Sequence, residues 1–298
     1  MNRDQLSHFR SKNRFLAQSA AALLEQEQPM TLRQLYYRLI SAGVLHNAQK
    51  EYNRLKAVMT RLREEQIVPR AWLVDHVRST LKPSSWSGLA SFADAVRDSY
   101  RKSFWASLPD HVEVFVEKDA VAGTIQPVTA EYDIALRVCR GYSSISFAGE
   151  IADLWRRIEK PIHAYYAGDF DPSGFDIERD LREKLESYSG RTAVAEDEQP
   201  DAHSFRWKRL AVCAEDFEAH NLIRLPVKAK DRRSPEFIRA HGRSCSEVDA
   251  LAPSELRRRL EKAIRSHIDL DQWARLERTE RLERQTLEQV IKGLDAAG

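Results

Sequence analysis

Two carboxylates one residue apart, Asp169 and Asp171, end the apolar, aromatic run AYYAG and precede Pro172, Ser173 and Gly174. Like charges this close repel, so the pair either holds a cation or forms the acidic start of a helix with proline in its first turn. A lone glutamate, Glu117, follows a second apolar run, VEVFV at 112–116. In an open parallel sheet, ligands bind outside the carboxyl ends of the strands. Glu117 at one strand end and the Asp169/Asp171 pair at another can therefore converge on one edge. Oxygen donors with no His or Cys beside them select a hard ion, with Mg²⁺ the default. Gly168 and Gly174 let the backbone turn tightly on either side of the acid pair. Two plainer readings stay open: a helix start for Asp171-Pro172, and a solvent-facing loop pair for Glu117-Lys118.

A second group with chemical potential is TLRQLYYRL at 31–39. On a helix, Tyr36 joins Leu32, Leu35 and Leu39 on the apolar stripe, while Tyr37 lies about 100° away beside Arg33 and Arg38. A phenol with a pKa of about 10 is a poor nucleophile at neutral pH. Neighbouring guanidiniums favour the phenolate and can hold the phosphate that it attacks. Core packing of both tyrosines is the alternative.

The elements that must position these groups read as follows. Helical periodicity covers 4–26, broken by Pro29. Thr31 can cap a helix that Gly43 ends, and Asn47 can cap a long third helix. One face of that helix is apolar (Tyr52, Leu55, Val58, Met59, Leu62) and the other is basic (Lys50, Arg54, Lys56, Arg61, Arg63). Two short β-prone pieces, QIVP and AWLVDHV, complete helix, helix, basic helix, hairpin. That is the order of a winged helix, in which the third helix reads a groove and its cations neutralise phosphates. Residues 79–111 read as linker and helix. From 112 strand and helix alternate: VEVFV, helix 119–131, DIALRVC, helix 144–158, IHAYYAG, helix 174–188. This alternation implies right-handed crossovers and a parallel sheet. A polar surface loop over 189–203 and a fourth strand, FRWKRLAV, follow, then two helices separated near Asp269. The expected class is thus α/β, with domains over 1–80 (DNA-binding), 81–110 (linker and helix), 111–250 (parallel sheet) and 251–298 (helical).

Bulk properties narrow the partners. Residues 1–80 carry 13 Lys and Arg against 7 Asp and Glu, a net of +6; the other 218 residues carry 34 against 38, a net of −4. A basic front end on a mildly acidic remainder suits a polyanion-binding module joined to a part that needs its own cations. No run approaches the roughly 18–20 apolar residues of a membrane span, and the N-terminus has no apolar signal core, so a cytoplasmic protein is expected. Cys139, Cys213 and Cys245 have no CxxC spacing and read as buried or incidental thiols.

A Glu at one strand end and DxD two strands later resembles the Toprim fold of topoisomerases, primases and some nucleases. With R-x-L-Y-Y on a winged helix upstream, the chain resembles the A subunit of type IIB topoisomerases (topoisomerase VI) and the related meiotic double-strand-break transesterases. The resemblance covers roughly residues 30–225 and rests on LRQLYYRL, VEKDAV, RGYSSI and AGDFDPSGFDI. Small stand-alone versions of the A subunit occur in bacteria and mobile elements, which suits this length. The resemblance implies that Tyr37 is the nucleophile forming a 5′-phosphotyrosyl bond, with Arg33 beside it. It implies Glu117 as general acid/base or a further metal ligand, and Asp169 and Asp171 as the Mg²⁺ pair. The substrate implied is double-stranded DNA, in the nucleoid, and the protein a homodimer in which the tyrosine of one chain serves the Toprim site of the other. Where the family has Gly-Lys-Gly-Tyr-Pro, this chain has Cys139, Arg140, Gly141, Tyr142 and Ser143; Arg140 keeps a cation for phosphate. No Gly-rich phosphate loop is present, so ATP-driven strand passage would need a separate ATPase subunit. The helices beyond 253 are expected to dimerise or to pack on the sheet. Two rival readings are a hydrolytic, metal-dependent nuclease and a non-catalytic DNA-binding module.

Overall fold

The structure is a computed structural model that describes residue 9 and residues 11–73, 84–228 and 230–295. Three helices come first: α1 (Ser11–Glu27), α2 (Leu32–Ser41) and α3 (Gln49–Glu64). Thr31 caps α2 in a full capping box with Gln34, satisfying two amides that the helix itself leaves open. Asn47 does not cap α3. Ala48 stands at that position with no side-chain cap, and its N–H donates to the Tyr36 hydroxyl at 2.8 Å. Buried Tyr36 thus keeps its polar end satisfied at a helix start.

The hairpin expected after α3 is not formed over QIVP. The Ile67 and Val68 amides both turn back to the Leu62 carbonyl (2.9 and 3.1 Å), ending α3 and leaving them nothing to give a strand partner. Leu73 pairs with Met30 in one parallel bridge. Ala71 and Trp72 lie in a 3-10 turn (Arg70–Trp72) and form no strand, while residues 74–77, like the residues expected to start the first helix, lie outside the described residues. Next come α4 (Leu89–Ser99), β1 (His111–Val116), α5 (Asp119–Glu131), β2 (Ala135–Val138), α6 (Ile145–Trp155), β3 (Ile162–Ala167) and α7 (Pro172–Ser189). They are followed by β4 (Thr192–Val194), β5 (Ser204–Ala211), α8 (Asp216–Ala219), β6 (Leu225–Pro226), α9 (Ser234–His241), β7 (Ser244–Cys245), α10 (Pro253–Arg265) and α11 (Leu270–Asp295).

The main sheet has five strands in the order β2-β1-β3-β5-β4, all parallel, so the class is α/β. The supposed loop over 189–203 contributes its edge strand, β4, so FRWKRLAV is the fifth strand and lies one in from the edge. Strands buried on both faces read as continuous apolar runs, as β1 and β3 do. On one face Phe115, Trp155, Tyr166, Leu181, Leu185, Phe205 and Trp207 pack under α6 and α7. On the other, Val112, Val114, Val116 and Tyr165 pack under α5 and α10, and this core runs on without a break to Leu16, Leu24, Leu35 and Leu55 of the first three helices. A buried polar bridge crosses that junction: Thr124 of α5 donates to Gln34 of α2 at 2.8 Å. Helix α10 packs on the sheet through Leu256, Leu260 and Ile264. Helix α11 instead carries α4, with Glu283 taking Tyr100 and Lys102 at 2.6 and 2.9 Å.

Candidate active site

Chain order and sheet order disagree between β1 and β3. From β1 the chain steps outward to β2, then crosses back to β3 on the other side. This reversal is a topological switch point, where the flanking loops part and leave a crevice at the strands' carboxyl ends. Glu117 and Asp169 emerge there side by side. The Glu117 amide donates to the Ala167 carbonyl at 3.0 Å, and Glu117 Oε2 accepts from the Asp169 amide at 2.7 Å. Both flanking glycines are required by this crowding. A Cβ on Gly168 would stand 2.8 Å from Glu117 Oε2, and one on Gly174 would stand 2.4 Å from the Asp169 carbonyl oxygen.

Asp171 takes the helix-start reading and still faces the acid edge. It is the N-cap of α7, its Oδ1 accepting from the Gly174 amide at 2.7 Å with Pro172 in the first turn, and its charge still bears on Glu117. Burial first, and then Asp169 and Asp171, push the Glu117 carboxyl up to about 7. The three acids share an edge without closing into a cage. The trio of His, Cys, Asp or Glu ligand atoms found within 4.8 Å of one another among the described residues lies elsewhere.

Lys118 is no solvent-facing partner of Glu117. It turns inward, with Nζ 2.9 Å from Asp169 and 2.7 Å from Asp249, and 3.8 Å from Glu247. Burial opposes its charge, but Asp249 and Asp169 overcome that and hold its pKa above the ordinary lysine value. Asp249 is fully buried, with the Lys118 ammonium as its counter-charge. Segment 246–250 is stitched alongside the acid pair. Phe170 and Ser246 exchange backbone hydrogen bonds of 2.8 and 3.0 Å, and the Val248 amide donates to Asp169 Oδ1 at 2.8 Å.

This segment also receives α2. Arg33 grips Glu247 with two prongs, Nε to Oε2 at 2.5 Å and Nη2 to Oε1. Its guanidinium lies 5.8 Å from the centre of the Tyr37 ring. Of the two guanidiniums expected to lower the Tyr37 phenol, Arg33 does so and Arg38 does not, and the net shift is upward. Arg38 turns away to Glu27 at 2.7 Å. Tyr37 is only 5% exposed, and burial first, then the Glu247 carboxylate, push it up to about 12 against the pull of Arg33. Sequence reasoning missed Glu247, Asp249 and the inward role of Lys118. The one available signal was two acids, spaced by one, in the otherwise apolar and small run SCSEVDAL.

The basic face of α3 is exposed at Lys50, Lys56 and Arg61, far from a uniform set of free charges. Arg54 is bound to Glu51, Asn13 and the Lys12 carbonyl, and Arg61 to Glu65. Arg140 sits at the crevice rim, 70% exposed, on a left-handed turn with Gly141 (φ 53° and 90°), and pairs with Asp119 at 2.9 Å. The thiols take no part: burial pushes Cys139 up to about 12, and Cys213 and Cys245 up to about 11.

Glu117, Asp169 and Asp171 are an oxygen-only donor set, which fits a hard divalent cation that keeps several waters. The buried Tyr166 hydroxyl, which has no partner, borders them, and burial first and then the neighbouring carboxylates raise Glu117. No family model matches this chain, and no curated protein matches it.

Proposed function

We propose that this chain is a Mg²⁺-dependent, DNA-cleaving transesterase with a topoisomerase-VI-A-like arrangement of winged helix and Toprim domain. The observation that carries the proposal is the continuous link Arg33–Glu247–Lys118–Asp169, which ties the tyrosine-bearing helix to the carboxylate edge. Tyr37 Oη attacks a phosphodiester phosphorus, forming a 5′-phosphotyrosyl bond, and the 3′-oxygen leaves with a proton. Glu117, partly protonated near neutral pH, is the group placed to supply that proton. Mg²⁺ held by Asp169 and Asp171 would neutralise charge on the phosphate and the leaving oxygen. The proton of Tyr37 goes to Glu247, the carboxylate whose charge bears on the phenol. While Arg33 grips Glu247, that carboxylate is a weak base, held below its ordinary range despite burial. A DNA phosphate that draws Arg33 away makes Glu247 more basic at the moment the substrate arrives. Lys50 and Lys56 on α3, with Arg140 at the rim, contribute phosphate contacts. Cutting both strands takes two copies, so a homodimer on double-stranded DNA belongs to the proposal.

The test is incubation with supercoiled plasmid and Mg²⁺ or Mn²⁺, stopped with detergent and run with and without protease. The expected result is cleaved DNA that enters the gel freely only after proteolysis, abolished in Tyr37→Phe. A second reading, hydrolysis at the carboxylate edge by a metal-activated water, draws on the burial and raised pKa of Tyr37. It expects free 5′-phosphate ends, no trapped protein, and full cleavage by Tyr37→Phe.

A further inference from the structure

The opposite edge of the same sheet carries a second cluster. Asp110 immediately precedes β1, His163 is the second residue of β3, and His267 lies in the turn between α10 and α11. The pairing of His111 with Ile162 and of Val112 with His163 puts the first two at the strands' amino ends. Six residues of strand, about 20 Å, separate them from Glu117 and Asp169.

Each of the three offers one ligand atom within 4.8 Å of the other two. His267 Nδ1 is 2.7 Å from Asp110 Oδ2, and His163 Nε2 is 3.6 Å from Asp110 Oδ1. The two imidazole rings lie 4.1 Å apart, centre to centre. His163 is 2% exposed; its Nδ1 has no partner, and its Nε2 stands beyond hydrogen-bond range of Asp110. An unsatisfied buried ring nitrogen of this kind costs about 1–3 kcal/mol.

We propose that Asp110, His163 and His267 form a binding site for a borderline divalent metal of the Zn²⁺ class, distinct from the carboxylate edge. Two imidazoles and one carboxylate are a set that suits Zn²⁺ and its neighbours in the series and not Mg²⁺. With metal–ligand bonds of about 2.0–2.2 Å, tetrahedral ligand atoms stand roughly 3.3–3.6 Å apart. The His163–Asp110 pair already has this spacing, and the His267–Asp110 hydrogen bond must open by less than about 1 Å. The outer partner expected of a metal-bound histidine is in place. Tyr165 Oη lies 2.6 Å from His267 Nε2, so a proton on Nε2 leaves Nδ1 as the ligand. A cavity of about 640 Å³ opens on Asp110, Tyr165 and His267, giving an entry path and room for an exogenous fourth ligand. Its rim carries Arg206, Lys208 and Lys262, none of them ion-paired among the described residues, so that fourth ligand is an anion or a hydroxide.

The test uses untagged full-length protein, stripped with a chelator and titrated with Co²⁺, with Zn²⁺ retention after dialysis measured by mass spectrometry. The expected result is one metal per chain, retained in millimolar Mg²⁺, with intense visible bands of tetrahedral Co²⁺. Tyr165→Phe is expected to weaken binding by roughly 10- to 100-fold. His267→Gln, which keeps a donor toward Asp110, is expected to abolish the bands, whereas Asp169→Asn at the far edge leaves them unchanged. Should His267→Gln fail to fold, the wild-type spectrum decides alone. A folded wild-type chain with no tetrahedral Co²⁺ spectrum and no retained Zn²⁺ overturns the proposal, leaving the cluster a hydrogen-bonded staple. Undiminished binding in folded His267→Gln overturns it too.

Discussion

Arg33 and Glu247, 214 positions apart, form a two-pronged ion pair that ties the tyrosine helix to the segment bordering the carboxylate edge. Glu247 is thereby shared between a guanidinium and, at 3.8 Å, the Lys118 ammonium, and its charge bears on the Tyr37 phenol. Whatever competes for Arg33 changes what Tyr37 experiences.

The Tyr37 phenol is therefore the first quantity to measure. Glu247 raises its pKa and Arg33 lowers it, so Glu247→Gln brings the phenol down from about 12 toward the ordinary value of about 10. Ultraviolet titration of tyrosinate, with Tyr37→Phe to identify the signal, reads this shift. Folding raises this pKa. The stability linked to it is fully present below about pH 10 and is lost as pH rises through about 12. An unmoved titration in Glu247→Gln would show that burial alone sets the phenol.

Asp171 serves a helix cap and the acid edge at once, and one substitution separates the two. Asparagine caps helices about as well as aspartate, so Asp171→Asn is expected to melt within a few degrees of wild type. Loss of its charge should lower metal-dependent cleavage by about 100-fold or more. Asp171→Ala should also lose about 1 kcal/mol of stability. Equal cleavage by Asp171→Asn and wild type would reduce Asp171 to a cap.

Gly174→Ala places a methyl 2.4 Å from the Asp169 carbonyl oxygen, a backbone atom that cannot swing aside. The expected cost is about 1–3 kcal/mol of overpacking, seen as a lower midpoint in urea, with the Asp169–Glu117 contact disturbed. Gly149→Ala, where an added Cβ meets nothing within 4 Å, is the matched control.

On α3, Lys50 and Lys56 are exposed and carry no ion pair among the described residues, whereas Arg54 is already engaged at its own surface. Lys50→Ala/Lys56→Ala should reduce the slope of log affinity against log salt for duplex DNA by about 1.8, roughly 0.9 for each phosphate contact. Arg54→Ala should leave the slope nearly unchanged. Fluorescence anisotropy at several salt concentrations distinguishes the two.

Periodicity and run length, both local properties, were enough to read α5, β1 and β3 nearly to the residue, along with the Thr31 cap and the parallel α/β class. The acid edge was equally legible, because Glu117 and Asp169 each follow a strand, and parallel strands bring their ends to one side. Two misreadings have local causes: QIVP spends its amides closing α3, and the three-residue edge strand β4 is too short to show a period.

Tertiary structure decided the rest, because charge and burial depend on neighbours that sequence distance hides. Arg33 beside Tyr37 promised a lowered phenol, yet a glutamate from the far end of the chain and the closure of the core reverse the sign. Lys118 reads as a surface residue until Asp249 and Asp169 close around it. The Asp110, His163 and His267 cluster is absent from any local pattern, since each member comes from a different element and only strand register and the α10–α11 turn bring them together. Spacing along the chain determined which residues share a strand end or a helix face. Packing alone set the dielectric and the counter-charges that those residues meet.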